Sequence, residues 1–554
     1  MSNPSPMNAM RSLTRQRSMG TAGGDKWSSN NEFILAAVGS AVGLGNIMRF
    51  PSKAYTYGGG TFIWPWLLAT VFLGWPLLCT EMAMGQQLQE GIYGCMMKAD
   101  SRARGIAYVA MAGTFMLTLY YAVIAAWAWI YFFLCFEKTF QWEKVGANEY
   151  FLKDVIEFSG SINTTGSIAW KVALALLLQR ALVIACMWNG TKTIGAVSKI
   201  LTPIPFVVIF ITLIYGATLP GAGNGLTEYF TPDWAQLGKS DVWIDAIGQL
   251  FFGLSVAMGV MQSYGSDLNK KAPIVYNATV VTAANAFASF TCGFPIFMFI
   301  GFLAHKRDVP VSEISSGGFG LVFTTIPTVL AYMPSGASNV MGLLFFLMIA
   351  TLGLSSSISL LQAIITFLGD LYPELMEKRR REILVGFVAF QYLIGLLFVC
   401  EAGYAFIDIV DTFLANYQTI LTGIAETLVI CYVLRGGVER IFSQVAANSE
   451  TDPRWTKLHP FFVASMKYTI PAVLTWMIMD NIVKDASGKG IADNYPTWGI
   501  VVFGYVLIIG VVTVAPIAYA LCVPIDNGDF EDDDDEIKQV GKLPAVQGEP
   551  ATTA

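Results

Sequence analysis

Two apolar stretches of the sequence carry glycines and polar residues close enough together to interrupt a helix. The first, residues 39–46, has glycine at positions 39, 43 and 45, and the second, residues 248–259, has glycine at positions 248, 253 and 259. Each glycine weakens a helix by about 1 kcal/mol, so we expect both stretches to break. Backbone groups freed inside an apolar stretch are tolerated where they line a cavity. The pattern predicts binding of an ion or small polar molecule, with close helix packing as the alternative.

Side-chain hydroxyls and amides in two further apolar stretches add candidate ligands. Ser355 and Ser356 lie in one stretch, and Asn285 and Ser289 lie in the other. Serines in an apolar helix often bond back to the preceding turn. Together with freed carbonyls, however, Ser355 and Ser356 would supply the several oxygens that a sodium ion requires without burying another charge.

The elements that must position these residues are membrane-spanning helices. The chain has 554 residues, of which 54% are hydrophobic and 13% are charged, whereas soluble proteins carry roughly 25% charged residues. Because a helical span needs about 20 apolar residues, we predict an all-α polytopic membrane protein with about 12 transmembrane helices. Their expected limits are 33–56, 62–86, 105–136, 168–187, 194–216, 242–266, 273–303, 339–370, 383–400, 404–434, 465–483 and 498–522. The lipid bilayer is therefore an expected partner, and the net charge of −6 argues against nucleic acid.

The distribution of lysine and arginine predicts the orientation. Basic residues concentrate in alternate connections, including the run 378–381, and such connections face the cytoplasm. Both termini are then cytoplasmic: an N-terminal tail, residues 1–26, and an acidic C-terminal tail, residues 523–554, flank a membrane domain, residues 27–522. In this orientation Arg49 and Asp411 lie near the outer mouth, where an unpaired charge is costly and a pair is expected.

The two glycine-rich stretches fall in the first and sixth predicted spans, so each opens a half of five spans. We expect repeat one at about 27–216, repeat two at about 240–436 and extra helices at about 460–522. Interrupted helices at matching positions of two halves indicate a transporter binding site. The chain has neither an ATP-binding GxxxxGK[ST] sequence nor a clustered nucleophile, base and metal set, so we expect a secondary transporter and no enzyme. A non-transporting substrate sensor on the same fold is the alternative.

Several ordered motifs resemble those of the neurotransmitter:sodium symporter family, and the resemblance runs from about residue 27 to 440. The motifs are Gly39-Ser-Ala-Val-Gly-Leu-Gly-Asn-Ile-Met-Arg-Phe-Pro51, Gly58-Gly-Gly-Thr-Phe62, Glu81-Met-Ala-Met-Gly85, Val242-Trp-Ile-Asp-Ala-Ile-Gly-Gln-Leu-Phe-Phe252 and Gly353-Leu-Ser-Ser-Ser357. The resemblance implies a 5+5 inverted repeat with broken helices 1 and 6, located in the plasma membrane. It also implies sodium-coupled symport of a small neutral amino acid by alternating access.

The resemblance further implies two sodium sites. The first would use the carbonyls of Gly39, Val42 and Leu352 and the hydroxyls of Ser355 and Ser356. The second would use Ala41, Asn46, Gly253 and Asn285 together with the substrate carboxylate. The family usually has serine or threonine where this chain has Gly253, so one hydroxyl is missing and the number of Na+ ions, one or two, stays open.

A chloride site is implied less completely. Gln249, Asn285 and Ser289 stand where chloride-dependent relatives have ligands, but Trp66 replaces the usual tyrosine. Chloride is therefore a possible coupled ion, and chloride coupling stays open.

For the substrate, the resemblance points to Gly43, because relatives that carry monoamines have aspartate there. Glycine leaves room for a substrate carboxylate, which amides near Leu44 and Gly45 and the hydroxyl of Tyr121 would hold. The implied substrate contacts are Ser40, Ala41, Gly43, Leu44, Gly45, Leu117, Tyr121, Phe252, Gly253, Ser255, Met258, Ser356 and Leu360. None is charged, which favours a neutral amino acid. A betaine-like osmolyte with altered ion coupling is the alternative.

The implied gates lie on both sides of this site. Tyr121 and Phe252 would form the outer lid, with the Arg49–Asp411 pair above it, and Asp370 would belong to the inner gate. The family's basic residue three positions before Trp27 is replaced by Gly24, and Lys26 is the candidate substitute.

Overall fold

The fold is that of a computed structural model, described for residues 26–314, 317–334, 336–448, 457–487 and 495–523. Across these residues the chain is almost entirely helical, and the only β pairing is two isolated bridges, Gly59 with Pro232 and Ile168 with Cys400. The predicted all-α class is thereby confirmed. Both predicted tails lie outside the described residues, apart from a residue or so at the membrane domain's ends.

Twelve spans follow one another along the described ranges, close to the predicted limits. Nine of the spans are long apolar helices. Span 1 is a pair of helices joined at a bend, span 10 continues through a bend into a further helix, Gly437–Asn448, and span 6 is formed by two shorter helices. In chain order, spans 1 to 12 are Asn30–Ala41 with Gly45–Thr56, Gly60–Leu88, Ser101–Leu134, Trp170–Met187, Thr191–Ala217, Ser240–Leu254 with Val260–Ser266, Ile274–Arg307, Ala337–Leu371, Pro373–Phe398, Gly403–Val433, His459–Ala486 and Thr497–Cys522.

The largest difference from the predicted limits is at span 9, which starts ten residues before the predicted position 383. A polar first segment, beginning at Pro373, joins the apolar part across a kink at Arg379, whose φ of −133° and ψ of 28° are not helical. Hydropathy alone does not detect this segment, because it contains the basic run 378–381.

Spans 3 and 8 form the centre of the bundle, and later spans lie at its edge. In span 3, 83% of the most apolar stretch is buried within the protein, whereas the corresponding value for span 12 is 22%. The surface of span 12 carries exposed apolar side chains such as Val506, Val511 and Leu521, which suit contact with lipid. A site enclosed by protein must therefore lie further in, among the central spans 3 and 8 and the two interrupted spans 1 and 6. The inner side of the protein is the side that the distribution of lysine and arginine predicts to face the cytoplasm, and the outer side is the opposite one.

A short outer helix, Ala222–Phe230, packs closely on span 7. Gly225 lies so near this span that a Cβ atom there would be 1.8 Å from the carbonyl oxygen of Phe297, whereas a Cβ at Gly223 would meet nothing within 4 Å. Only glycine fits at the first position, which fixes how the outer segment sits on the bundle.

Candidate functional site

Span 1 breaks where its glycines predict. The first helix ends at Ala41, Val42 is extended with φ −95° and ψ 95°, and helical structure resumes at Gly45. The freed amide of Gly43 donates to Asn46 Oδ1 at 3.0 Å, and that of Leu44 donates to the Tyr121 hydroxyl at 3.0 Å. The break therefore places polar backbone at the centre of the bundle, next to span 3.

Span 6 breaks between Leu254 and Val260. Ser255, Ala257 and Gly259 have positive φ values of 53°, 60° and 71°. For a residue other than glycine, this conformation costs roughly 1–2 kcal/mol, so neighbouring groups must hold it. The break lies between two of the glycines that predicted it, but two of its three left-handed residues are not glycine.

Two side chains that sequence reasoning gave no role hold the span 6 break. Glu81 of span 2 accepts a hydrogen bond from the amide of Ala257 at 2.7 Å, and Thr114 of span 3 donates to the carbonyl of Met258 at 3.0 Å. Glu81 is fully buried. An acid inside an apolar span is costly and usually functional, and this signal was available in the sequence.

Three residues of the first implied sodium site, Gly39, Leu352 and Ser355, lie together where span 1 meets span 8. A Cβ atom on Gly39 would lie 3.8 Å from Cβ of Ser355. The Ser355 hydroxyl donates to the carbonyl of Leu352 at 3.0 Å, one turn earlier in the same helix, so this serine also bonds back to its own helix. The Ser356 hydroxyl is buried and has no hydrogen-bond partner within the described ranges. The site thus offers oxygen atoms that a cation would complete.

The neighbouring serines bond back to the preceding turn of their own helix. Ser357 donates to the carbonyl of Gly353 at 2.6 Å, and Ser359 donates to the carbonyl of Ser355 at 3.0 Å. Ser40 of span 1 has a buried hydroxyl for which the described residues supply no partner. Helix self-satisfaction therefore accounts for the later serines of span 8, but not for Ser40 or Ser356.

A second polar cluster joins spans 1, 6 and 7. Asn46 Nδ2 donates to Asn285 Oδ1 at 2.8 Å and lies 2.8 Å from Ser289 Oγ. Gln249 Nε2 donates to the carbonyl of Gly45 at 2.9 Å. A Cβ on Gly253 would be 3.2 Å from Asn285 Oδ1. The structure therefore brings together the residues implied for chloride and, apart from Ala41, those implied for the second sodium site.

Above this cluster, charged and aromatic side chains close the outer side. Arg49 NH1 lies 3.7 Å from Asp411 Oδ2, and its guanidinium carbon lies 5.0 Å from the centre of the Phe252 ring. Tyr120 also donates to Asp411 at 2.7 Å. The expected Arg49–Asp411 pair is present, and it reaches the lid residue Phe252 through a cation–π contact.

The inner side closes differently from the expectation. Lys26 donates to Gln89 Oε1 at 3.2 Å and does not pair with Asp370. Asp370 accepts instead from the amide of Gly94, at 3.3 Å, in the first turn of helix Ile92–Ala99. The proposed Lys26 substitution is therefore wrong for this structure, because a helix start already satisfies the carboxylate. Gly24 lies outside the described residues.

Trp27 supplies the main inner contact. Its indole nitrogen donates to the carbonyl of Tyr264 at 3.0 Å, and its ring meets the Tyr264 ring edge to face at 5.3 Å. Tyr264 in turn donates to Ser359 at 2.9 Å. Spans 1, 6 and 8 are thus joined below the site by neutral hydrogen bonds.

The apolar residues implied for the substrate pocket lie in the same core. Leu117, Met258 and Leu360 are buried, and Phe252 is half-buried against them. A bundle with two interrupted helices, polar groups beside both breaks and a closure on each side is the architecture of a secondary membrane transporter.

Comparison with known proteins identifies the family. The chain matches the model of the sodium:neurotransmitter symporter family over residues 24–149 and 143–524. It belongs to this family, whose members are transporters and not enzymes, and the predicted recognition is confirmed.

The relatives have several substrates. The human sodium- and chloride-dependent taurine transporter is 33% identical over 74% of this chain and 72% of its own length. The human sodium- and chloride-dependent GABA transporter 2 is 30% identical over 88% of this chain and 85% of its own length. An uncharacterised sodium-dependent transporter of Methanocaldococcus jannaschii is 29% identical, covering 88% and 97% respectively. These relatives support sodium-coupled symport of small amino-acid-like molecules across a membrane.

Proposed function

We propose that the protein uses the sodium gradient to import a small neutral amino acid or a closely related zwitterion by alternating access. The observation that carries this proposal is the surroundings of Gly43. A Cβ there would lie 2.6 Å from Ser356 Oγ and 2.9 Å from the Tyr121 hydroxyl, so two hydroxyls point at the space that glycine leaves. The Tyr121 hydroxyl also accepts from Leu44.

An anionic group suits this space. The hydroxyls of Tyr121 and Ser356 can donate to it, and it lies at the start of the helical segment Gly45–Thr56, where the helix dipole favours negative charge. The rest of the implied contact set carries no charged side chain. A substrate with one acidic and one basic group fits better than a cationic amine, whose counter-ion would have to replace Gly43.

Sodium would bind beside this space. The first site would use Gly39, Val42, Leu352, Ser355 and Ser356, and it has all its side-chain hydroxyls. The second would use Ala41, Asn46, Gly253 and Asn285 with the substrate carboxylate, and it lacks the hydroxyl that Gly253 removes. We propose that the first site is the principal one, with the second weaker. Gln249, Asn285 and Ser289 form the candidate chloride site.

The proposal places the protein in the plasma membrane with both termini in the cytoplasm. Arg49, Asp411, Tyr121 and Phe252 would close the outer path, and Asp370 would belong to the inner one. Taurine and GABA, which the named relatives carry, and a betaine-like osmolyte belong in the substrate panel because each has one anionic and one cationic end.

Uptake into proteoliposomes tests the proposal. Labelled neutral amino acids, taurine, GABA and betaine would be offered under sodium, potassium or proton gradients, with and without chloride. We expect sodium-driven accumulation of at least one, lost in Ser355→Ala/Ser356→Ala and in Gly43→Asp, whose side chain would occupy the anion space. Gly248→Ala is the matched control, because a Cβ there meets nothing within 4 Å. Binding without accumulation under any gradient would instead identify a sensor.

A further inference from the structure

Span 4 carries a buried arginine that the transport site does not use. Arg180 lies near the middle of Trp170–Met187, on the narrow face that this otherwise lipid-exposed helix turns towards the bundle. Its side chain is only 3% exposed. Arginine remains charged in proteins, and a charge at this depth needs compensation.

The partners of Arg180 are all neutral. NH1 donates to Gln391 Oε1 of span 9 at 3.0 Å, and NH2 donates to the carbonyl of Thr118 of span 3 at 3.0 Å. Gln391 completes a triangle by donating to Thr118 Oγ1 at 2.7 Å. The buried Nε has no partner, and no carboxylate lies within ion-pair distance of Arg180 in the described part of the chain. Hydrogen bonds are thus provided, but no negative charge.

Two other arginines that reach into the bundle do have negative partners. Arg49, which is 19% exposed, pairs with Asp411. Arg104, 2% exposed, donates to the carbonyls of Ala520 and Val523 at the C-terminal end of span 12, where the helix dipole is negative. Arg180 has neither a carboxylate nor a helix end beside it, so its charge has no negative partner among the described residues.

We propose that Arg180 holds a small monovalent anion, chloride in physiological solution, between spans 3, 4 and 9. The size of the ligand follows from the packing. One turn away along both helices, a Cβ on Gly395 would be 3.4 Å from Leu176 Cδ2, so spans 4 and 9 are in van der Waals contact. A phosphate or an organic acid would separate helices packed this closely, so the ligand is limited to a monatomic anion.

This anion site is distinct from the implied chloride site at Gln249, Asn285 and Ser289, which lies on spans 6 and 7. It sits behind the wall of the substrate pocket, because Thr118 follows Leu117 directly and Gln179, next to Arg180, donates to Ser357 at 3.4 Å. The anion would therefore stabilise the wall that carries Leu117, Tyr121 and Ser356. The inference does not depend on which substrate is carried.

Thermal stability of the purified full-length protein tests this site without substrate or gradient, so its failure is distinguishable from failure of the transport proposal. Sodium would be held constant while gluconate is replaced by chloride. The comparison is made in the Ser289→Ala background, which removes a ligand of the other candidate chloride site. At about tenfold saturation we expect the melting temperature to rise by about 1–2 °C in Ser289→Ala and in Ser289→Ala/Arg104→Gln, but not in Ser289→Ala/Arg180→Gln. An increment that persists in Ser289→Ala/Arg180→Gln, or that is absent from Ser289→Ala, would overturn the proposal.

Bromide supplies an independent measurement if Arg180→Gln does not fold. Crystals of the wild-type protein grown in sodium bromide should show anomalous density beside the Arg180 guanidinium. Density confined to the Asn46–Ser289 cluster, or no bromide density, would overturn the proposal, because water alone would then satisfy Arg180.

Discussion

Restoring a hydroxyl at position 253 should tighten sodium binding. Gly253→Ser would place an oxygen next to Asn285 Oδ1, in the cluster that Asn46 completes. The added Cβ would lie 3.2 Å from Asn285 Oδ1 and 3.5 Å from Nδ2, so its crowding falls on one side-chain amide and not on backbone. A small shift of that amide accommodates the substitution.

The size of the effect follows from two opposing contributions. A polar contact to a charged group contributes about 1.5–3 kcal/mol net, and displacement of the Asn285 amide costs about 0.5–1 kcal/mol. The remainder is about 0.5–2.5 kcal/mol, which corresponds to a half-saturating sodium concentration lower by about 2- to 70-fold.

The assay is uptake into proteoliposomes as a function of sodium concentration at fixed membrane potential. Gly253→Ala is the matched control, because it adds the same Cβ without the hydroxyl. We expect the serine variant to need less sodium and to show a steeper sodium dependence than wild type, with the alanine variant unchanged or weaker. Equal sodium dependence in the serine and alanine variants would refute the reasoning that a missing oxygen limits this site.

Three further predictions concern other parts of the molecule. Gly225→Ala should destabilise the protein by about 3 kcal/mol because the added Cβ would overlap a backbone carbonyl. Gly223→Ala on the same helix should be neutral or stabilising by up to about 1 kcal/mol. The two variants are compared by their melting temperatures in detergent. Trp27→Phe removes one inner hydrogen bond worth about 1 kcal/mol and should increase labelling of a cysteine introduced in the inner path about fivefold. The amide and hydroxyl of Ser167 donate to Glu401, which lowers the pKa of this exposed carboxyl. The stabilising contribution of Glu401 is therefore present above the ordinary glutamate pKa and is lost as the pH falls through the lowered pKa. Hydrogen exchange of the 159–167 segment, corrected for intrinsic rates, should rise over that acidic range in wild type and should be raised at all pH values in Glu401→Gln.

The spans could be predicted from the sequence because most are apolar runs bounded by polar residues. Where this contrast is missing, the prediction failed, as at Pro373, where a basic helix continues into an apolar one. The break in span 6 was predicted from glycine content, yet Ser255 and Ala257 take the left-handed conformation because Glu81 and Thr114 hold the neighbouring backbone. The acid in span 2 marks Glu81 as unusual in the sequence, but no local pattern shows which backbone group it holds.

The candidate site shows the same division. Asn285 and Ser289 stood out as polar residues in an apolar stretch, the resemblance joined them to Asn46, and the structure places all three together. The hydrogen-bond partner of Asp370 could not be predicted from the positions of basic residues, because it is a backbone amide at the start of helix Ile92–Ala99. The importance of Arg180 could not be predicted from hydropathy, because the apolar residues around it dominate the average over span 4.

The two closures differ in chemistry, and this difference has a consequence for transport. The outer side is joined by the Arg49–Asp411 ion pair, whose side chains are 19% and 26% exposed, and salt partly screens such a pair. The inner side has an ion pair of its own, Lys199 with Glu32, and also the neutral hydrogen bonds of Trp27 and Tyr264, which salt affects little. Raising ionic strength at constant sodium therefore weakens an ion pair on each side, while the Trp27 and Tyr264 bonds still hold the inner closure. The equilibrium should shift towards the outward-open state, in which sodium reaches its sites from the side where it is abundant.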